Sequence, residues 1–483
     1  MSDELRRQLS IATTAATTST ACANRLHKHM LAALLNQDRC TLSNLICTSG
    51  TQHLDWTADY RLYSRDRVDE AALFGQARDC LLKHLPDDQP LVVALDDSIA
   101  RKRGKKIFGV GWKRDPLGPP FQTNLVQAQR YLQFSAAWPI ANGESRMVPI
   151  DFQHAPSPAK PNKKAKNQEQ ELANYREALK QQNLNRVSLE RIKRLRGDVP
   201  SERHIVLNGD GSFTNKTILQ GLPDGCTYIG RGRKDMALHY LPQPKAGKDG
   251  VMGRPRRYGD KAPTPEELRQ DESVAWQRIG AFAAGRRHDF KIKTLDSVLW
   301  RKSGTGLPLR LVVIAPLGYR LNKGGKILYR KPAYLVCTDP NLSLEKLLQF
   351  YVWRWGIEVN FREEKSLVGT GQAQVQTKSS NQHLPAAMVA AYSLLWTSAL
   401  SQVADERLPP SLAVPKWRET KESREGREGR LPSTGELQRI LRRETWAGSL
   451  RPSTFYRFVS RGASDAKSEK VEMDLSAQLF SVA

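Results

Sequence analysis

The amino-acid sequence predicts an α/β fold, in which a mixed β-sheet is flanked by helices, interrupted by a β-rich insertion and preceded by a helical N-terminal region. Between residues 89 and 233, short apolar runs typical of strands alternate with amphipathic stretches typical of helices. The first strands come before any helix, which favours an antiparallel hairpin on one side of the sheet and helical crossovers after it. A chain of 483 residues exceeds one ordinary core, so roughly two to four domains or one elaborated domain are expected.

Residues 1–88 are predicted to be mostly helical. The stretch NRLHKHMLAALLN has helical periodicity, Thr41 can cap the short apolar helix that follows, and Ser49 with Gly50 can turn the chain. This outline is typical of a helix-turn-helix that binds DNA, but an ordinary helical hairpin gives the same pattern. The pattern leaves both interpretations open.

The first strand of the predicted sheet leads into a pair of acids. Five apolar residues, Leu91–Leu95, form a buried strand that runs directly to Asp96 and Asp97. The segments FQTNLVQAQRYLQFSAAWP and SRMVPIDFQH are predicted to be two further strands. A basic loop and one long amphipathic helix from about Glu169 to Arg196 follow them.

The next predicted strand also ends in an acid. The run RHIVLNGDGS reads as a short strand that stops at Asp210, and a helix near NKTILQGL and a strand near CTYIGRGR follow. Residues 234–339 are then interpreted as a β-rich insertion, because HDFKIKTLDSVLW, LPLRLVVIAPL and KPAYLVCTD read as strands around a polar segment rich in Gly and Pro.

The last part of the chain is predicted to be helical and basic. Residues 340–405 contain one helix across 343–366 and a strongly apolar, buried helix at 384–404. Residues 406–483 form a basic C-terminal region with a polar connector at 416–430, and we expect it to serve in dimerisation or DNA contact.

The composition favours a nucleic-acid partner. Lys and Arg number 75 against 50 Asp and Glu, which gives a formal charge of +25 and a pI near 9.9, and such an excess usually indicates a polyanionic partner. No run of about 18 apolar residues exists and the N-terminus lacks the apolar core of a signal peptide, so we expect a soluble intracellular protein that binds no membrane. The six scattered cysteines form no C-x-x-C pair, which argues against a zinc site or a disulfide framework.

The charges of the stretch YVWRWGIEVNFREEK divide between two faces of one predicted helix. At about 100° per residue, an arc of about 60° holds four side chains, namely Tyr351, Arg354, Glu358 and Lys365. Glu363 and Glu364 point away from this arc, and we expect them to be solvated. A surface helix with an Arg354–Glu358 ion pair would give the same pattern without any function.

The three separated acids together fit a known chemical requirement. Hydrolysis and transesterification of phosphodiesters by two metals need carboxylates that hold two Mg²⁺ ions about 4 Å apart. Asp96, Asp210 and Glu358 would supply them from two strands and a helix packed over the sheet. Without a cation these carboxylates would repel one another, so their convergence favours a metal site. An Asp that ends a strand is also a common turn residue, and each acid alone is weak evidence.

The spacing Tyr351-x2-Arg354-x3-Glu358-x6-Lys365 resembles, at every position, the Y-R-E-K motif of bacterial insertion-sequence transposases of the DDE type. The segments VVALDDS and VLNGDGSF are similar to the first- and second-aspartate segments of that family, and the resemblance spans roughly residues 30–405. It implies an RNase H-like catalytic core in two parts, residues 89–233 and 340–405, and a helical DNA-binding region before it.

The same resemblance implies the roles of the site residues. Asp96, Asp210 and Glu358 would be the catalytic, metal-binding triad for two Mg²⁺ ions, for which Mn²⁺ can substitute. In the family, the tyrosine, arginine and lysine contact DNA phosphates beside the cut, and Tyr351, Arg354 and Lys365 would inherit that contact. Asp97 is the alternative first ligand, although the D-x-Ser pattern favours Asp96.

The function implied is that of a cut-and-paste transposase. Such a protein binds the terminal inverted repeats of its element, cleaves the ends by Mg²⁺-dependent hydrolysis and joins them to target DNA. Its partners would be double-stranded DNA and a second copy of the chain in a synaptic complex, at the nucleoid in the bacterial cytoplasm. Two alternatives stay open: a non-catalytic DNA-binding regulator descended from such an enzyme, and a nuclease of the same fold without strand transfer.

Overall fold

A computed structural model describes most of the chain. The described residues are 1–404, except residues 105, 116–117, 120, 123, 141–142, 159, 162–166, 244–255, 284–285 and 323, together with residues 432–449. The connector predicted at 416–430 and most of the basic C-terminal region therefore lie outside the described residues.

The N-terminal region is helical, as the sequence predicts. Its helices are α1 (Ser2–Ala15), α2 (Thr20–Leu35), α3 (Leu42–Thr48), α4 (Thr57–Ser64) and α5 (Glu70–His84). The Thr41 hydroxyl caps α3 by accepting a hydrogen bond from the Asn44 backbone N–H at 3.3 Å. Gly50 follows with a φ of 75°, the left-handed conformation that commonly terminates a helix. The role of α2 and α3 in reading DNA stays a prediction.

Thirteen strands follow among the described residues. They are β1 (Leu91–Arg101), β2 (Gly111–Arg114), β3 (Leu125–Pro139), β4 (Ser145–His154), β5 (Ile205–Gly209), β6 (Cys226–Arg231), β7 (Leu238–His239), β8 (Gln277–Ala283), β9 (Arg286–Trp300), β10 (Leu309–Ile314), β11 (Gly318–Tyr319), β12 (Leu328–Tyr329) and β13 (Ala333–Cys337).

Eleven of these strands, counted over the described residues, form one mixed sheet in the order β2-β3-β1-β5-β6-β13-β10-β9-β7, with β4 beside β3 and β8 beside β9. The centre is parallel, since β5 pairs in parallel with both β1 and β6. β3 and β4 form the antiparallel hairpin that the sequence predicts on one side.

Helices flank the sheet and carry its crossovers. They are α6 (Gln168–Gln181), α7 (Leu184–Asp198), α8 (Lys216–Gly221), α9 (Pro265–Gln270), α10 (Leu344–Trp353), α11 (Gly356–Ser366), α12 (Lys378–Ala404) and α13 (Thr434–Ser449). A large mixed sheet with helices on both faces is consistent with the RNase H-like fold that the resemblance implies.

Three predicted elements have different bounds in the structure. β1 continues through both aspartates to Arg101, because β3 pairs with it along that whole stretch. The helix predicted over Glu169–Arg196 is divided into α6 and α7, because the Asn183 side chain starts a new helix by accepting a hydrogen bond from the Asn185 backbone N–H at 2.9 Å. The helix predicted over 343–366 is likewise divided into α10 and α11.

The predicted β-rich insertion mainly extends the central sheet, and among the described residues only its short strands β11 and β12 pair in a separate two-stranded sheet. Its last strand, β13, pairs antiparallel with β6, and β10, β9 and β8 follow outward from it. β8 was not predicted from the sequence, because its residues are mostly half-buried or exposed and show no strong apolar alternation.

The two faces of the sheet bury different side chains. In β1, Val93 and Leu95 pack into a core shared with the N-terminal helices and α12. Val92 and Ala94 point the other way, into a second core formed with α10 and α11. By the same alternation, Asp96 faces α10 and α11.

α12 is the buried apolar helix that the sequence predicts, although it begins earlier. Over Lys378–Val403 it is long and apolar enough to cross a membrane by length and composition, but its most apolar window is 100% buried inside the protein. Burial of this kind is typical of the core helix of a globular domain.

Gly209 allows the parallel strands to approach at the end of β5. A Cβ atom at this position would lie 2.3 Å from the hydroxyl oxygen of Tyr228 and 3.1 Å from the Cβ of Phe213. Both neighbours are fully buried and have no free space to move into. A glycine is therefore required directly before Asp210.

We predict that Gly209→Ala lowers the free energy of unfolding by about 1–3 kcal/mol, as overpacking of a tight core does. Chemical denaturation of the full chain measures the change. Tyr228→Phe removes the atom that the new methyl group would strike, so the double variant should recover part of the loss relative to the sum of the single variants. Strict additivity of the two losses would contradict this interpretation.

Candidate active site

The end of the parallel β1–β5 ladder brings two aspartates side by side. Leu95 and Gly209 form the last registered pair, so Asp96 and Asp210 are the next residues on the two strands. Neighbouring strands lie about 4.8 Å apart, which is close enough for one carboxylate to act on the other. The two acids that follow apolar runs in the sequence therefore meet at one place.

Burial and repulsion both act on Asp96. Its pKa is raised to about 7, first by burial and then by the charge of Asp210, whereas Arg354 opposes the rise. Asp210 is fixed by its own turn, because its Oδ1 accepts hydrogen bonds from the Ser212 backbone N–H at 2.7 Å and hydroxyl at 2.6 Å. Asp96 thus needs positive charge nearby to stay ionised at neutral pH.

The segment with Tyr351, Arg354 and Glu358 is an overwound junction between α10 and α11. Hydrogen bonds of the i→i−3 type replace the α-helical ones here, including the bond from the Glu358 N–H to the Trp355 carbonyl at 3.1 Å. The junction packs tightly on β4, since a Cβ atom on Gly356 would lie 2.4 Å from Cγ of Met147. The continuous helix assumed from the sequence is therefore wrong, although Arg354 and Lys365 still contact β1.

Arg354 lies between two of the predicted ligands. Its Nη2 donates to Glu358 Oε1 at 3.2 Å, and its Nη1 lies 3.6 Å from Asp96 Oδ2. Its guanidinium carbon is 5.7 Å from the ring centroid of Tyr351. The side chain is 13% exposed, and its Nε is buried without a hydrogen-bond partner among the described residues.

Lys365 also contacts β1, two residues beyond Asp96. Its Nζ donates to the Ser98 hydroxyl at 2.5 Å. Ser98 follows Asp96 by two residues in β1, and alternate residues of a strand share one face of the sheet. Asp96, Ser98, Arg354 and Lys365 therefore face each other across the gap between β1 and the α10–α11 segment.

Asp97, the alternative first ligand, has different neighbours. Its Oδ2 lies 3.7 Å from Nε of Arg130, and burial raises its pKa while Arg130 and Lys113 lower it. The charge of Asp210 also raises the pKa of Asp97, so Asp97 is not remote from the site. The contacts to Arg354 and the shared face with Ser98 belong to Asp96, however.

Glu363 and Glu364 point away from the motif face, but the expectation that they are solvated is wrong. Glu363 forms a buried ion pair with Arg146 of β4 and accepts hydrogen bonds from Tyr392 and Thr434 at 2.6 and 2.7 Å. Glu364 is 2% exposed, and burial raises its pKa to about 8. Both lie between α11 and other elements rather than in water.

A buried polar layer joins α11 to β3 next to the aspartates. Gln133 pairs with Asp96 across the β1–β3 ladder, and its Nε2 donates to Glu364 Oε1 at 2.9 Å. Beside it, Asn360 Nδ2 donates to the Ser135 hydroxyl at 3.1 Å. These contacts set the position of the helix that carries Glu358 against the strand pair that carries Asp96.

Three side chains near the site, Arg130, Gln133 and Arg146, were not predicted from the sequence. The single signal that could have indicated them is the set of polar residues at alternate positions of otherwise apolar β3, where Gln133 and Ser135 are fully buried. Arg146 gave no signal, because its partner Glu363 lies more than 200 residues away in the chain.

The donor set fits divalent metal ions by its chemistry. Asp96, Asp210 and Glu358 offer the carboxylate oxygens that Mg²⁺ and Mn²⁺ prefer. Among the residues that the structure describes, however, no three His, Cys, Asp or Glu side chains are grouped closely enough to hold a metal ion. Glu358 instead contacts Arg354, so its side chain must turn toward the aspartates for the three to act together.

A family model described as DDE superfamily endonuclease matches residues 19–305, which is more than half of the chain. The matched span includes Asp96 and Asp210 and ends before the α10–α11 segment that holds Glu358. No curated protein matches the sequence.

We predict that Glu364→Gln removes a pH dependence of stability. The pKa of this carboxyl is raised from 4.5 to about 8 in the folded chain, so between these values the unfolded chain releases a proton that the folded chain keeps. Wild-type stability therefore falls as pH rises through this window, by at most about 1.4 kcal/mol per pH unit. The melting temperature of Glu364→Gln relative to wild type should rise from pH 5 to pH 8 and then level off.

Glu363→Gln is the matched control, because the pKa of Glu363 is lowered by Arg146 and its hydrogen bonds. Its folded state gains from ionisation, so this variant should lose most stability near neutral pH and least in acid. Parallel pH profiles for the two variants would contradict the assignment of Glu364 as a buried, protonated carboxyl.

Proposed function

Since the chain belongs to the DDE superfamily endonucleases, which act on DNA and typically use divalent metal ions, we propose that it is a DNA transposase. It binds the terminal inverted repeats of its element, cleaves the ends by metal-dependent hydrolysis and joins them to target DNA. The Y-R-E-K spacing is the feature that separates this proposal from a general endonuclease.

One observation supports the proposal most directly. Arg354 and Lys365 of the α10–α11 segment contact Asp96 and Ser98 of β1, although the two segments lie more than 250 residues apart. A helix that merely formed surface ion pairs would have no reason to place its cations on the buried aspartate strand. This contact supports the proposal that the motif and the strand-end acids act as one site.

In this proposal, Asp96, Asp210 and Glu358 are the catalytic carboxylates and would hold two Mg²⁺ ions, which polarise the attacking water and stabilise the leaving oxygen. Arg354 and Lys365 hold the phosphates beside the cut, Arg354 with two N–H groups and Lys365 as a point charge. Tyr351 packs under the guanidinium of Arg354 and keeps its orientation. Gln133 and Glu364 position α11 for this work.

The partners follow from the reaction. Two element ends must be cut and joined together, so a dimer in a synaptic complex with both ends is expected. The formal charge of +25 supports binding to the phosphate backbone of both element and target DNA. The N-terminal helices would read the repeats, and the protein would work in the bacterial cytoplasm at the nucleoid.

The assay that tests the function mixes the protein, Mg²⁺, labelled element ends and a target plasmid. The ends are obtained by searching the DNA that flanks the gene for inverted repeats. Labelled ends joined to the plasmid support the transposase. Cleavage without joining indicates a nuclease of the same fold, and tight binding without cleavage indicates a regulator.

We predict that Glu358→Gln lowers cleavage by at least about a hundredfold, because a charge that stabilises the transition state contributes several kcal/mol. End binding, measured by gel shift, should stay within a few-fold of wild type. Glu345→Gln on the exposed side of α10 is the same substitution outside the site and should cleave normally. Wild-type cleavage by Glu358→Gln would refute the assignment of this glutamate.

Comparison of Asp96→Asn with Asp97→Asn determines which of the two adjacent aspartates is the first metal ligand. We predict that Asp96→Asn loses cleavage by the same factor of about a hundred or more, whereas Asp97→Asn keeps measurable activity, because Asp97 mainly faces Arg130 and Lys113. The same cleavage assay measures both. The reverse order would move the first ligand to Asp97.

A further inference from the structure

The guanidinium of Arg354 is placed where a cation would serve the carboxylates. It lies 3.2 Å from Glu358 and 3.6 Å from Asp96, and its side chain is largely withdrawn from solvent. One positive charge of the protein therefore bridges the two carboxylates and offsets part of their negative charge. The contact to Asp96 is longer than a good hydrogen bond, so Arg354 bridges the pair by charge more than by directed bonds.

The same guanidinium has unused hydrogen-bonding capacity. Its Nε is buried without a hydrogen-bond partner among the described residues, and a buried donor that is left unsatisfied is unfavourable. A phosphate group can accept two parallel hydrogen bonds from the planar guanidinium, and would thus satisfy the Nε–H together with one Nη–H. The contacts seen in the DNA-free protein are thus incomplete for Arg354.

From these contacts we infer that Arg354 substitutes for the metal cation in the DNA-free protein, so that divalent cation and DNA phosphate bind cooperatively. In this arrangement Arg354 competes with a divalent cation for Asp96 and Glu358. A DNA phosphate draws Arg354 away and frees both carboxylates. By thermodynamic linkage, the cation must raise DNA affinity by the same factor by which DNA raises cation affinity.

This inference rests on the proposed function, because it uses Asp96 and Glu358 as metal ligands. It adds a property that the ligand assignment does not contain: the metal site is incomplete until DNA is present. Cleavage would then be confined to protein already on its substrate.

The test measures Mn²⁺ binding to the full-length chain without DNA, from the loss of the electron paramagnetic resonance signal of free Mn²⁺. Arg354→Gln should bind Mn²⁺ at least about tenfold more tightly than wild type, a gain of about 1.4 kcal/mol. Lys365→Gln removes an equal charge that contacts Ser98 rather than a carboxylate, so it should bind within about threefold of wild type. Arg354→Lys keeps the positive charge but lacks the planar guanidinium that can contact two carboxylates, so its Mn²⁺ affinity should lie between those of wild type and Arg354→Gln.

A second arm adds a short DNA duplex, since phosphate contacts are independent of sequence. DNA should tighten Mn²⁺ binding by wild type, and this effect should be much smaller for Arg354→Gln. Far-UV circular dichroism and melting temperature identify any variant that fails to fold, and for such a variant Arg354→Lys alone decides the outcome.

Asp96→Asn separates failure of the inference from failure of the proposed function. If Asp96→Asn abolishes Mn²⁺ binding but Arg354→Gln and Arg354→Lys bind as wild type does, the inference is overturned and the metal site stands. If Asp96→Asn binds Mn²⁺ as wild type does, the metal does not use this strand and both are overturned. If Arg354→Gln and Lys365→Gln raise the Mn²⁺ affinity equally, the loss of one positive charge explains the change without any specific role of Arg354. That result would also overturn the inference.

Discussion

The structure depends on the register between β1 and β5. The parallel β1–β5 ladder stops at Leu95 and Gly209, while β1 continues against β3. Asp96 and Asp210 therefore lie side by side just beyond the last paired residues, and Asp96 faces the α10–α11 segment. Two carboxylates on neighbouring strand ends, of which Asp96 is largely withdrawn from solvent, are unfavourable unless positive charge is supplied. The arginine of the junction beside Asp96 and the raised pKa of Asp96 both follow from that one placement.

The site combines negatively charged carboxylates with positively charged side chains in a chain of high net positive charge. A net charge of +25 favours a polyanionic partner, whereas the carboxylates at the site would repel such a partner. Arg354 and Lys365 contact β1 on the carboxylate side. The site therefore holds positive side chains directly beside its carboxylates.

Much of the fold and of the site could be predicted from local sequence, because apolar runs mark β1 and β5 and the spacing of Tyr351, Arg354, Glu358 and Lys365 is a property of one segment. The parts that could not be predicted depend on partners far away in the chain. Glu363 and Glu364 look like solvated helix residues until Arg146 and Gln133 are placed beside them. The overwound junction likewise depends on Met147 of β4, and the pairing of β6 with β13 joins residues about a hundred positions apart.

The pairing of β6 with β13 ties the insertion to the central sheet. A true inserted domain could be lost or exchanged in evolution without effect on its host, because its backbone pairs only with itself. Here β13 covers the edge of β6, and its removal would leave a buried parallel strand with open backbone groups ready to pair with another chain. The segment between the second aspartate and the glutamate is thus constrained to evolve with the catalytic sheet rather than as a replaceable attachment.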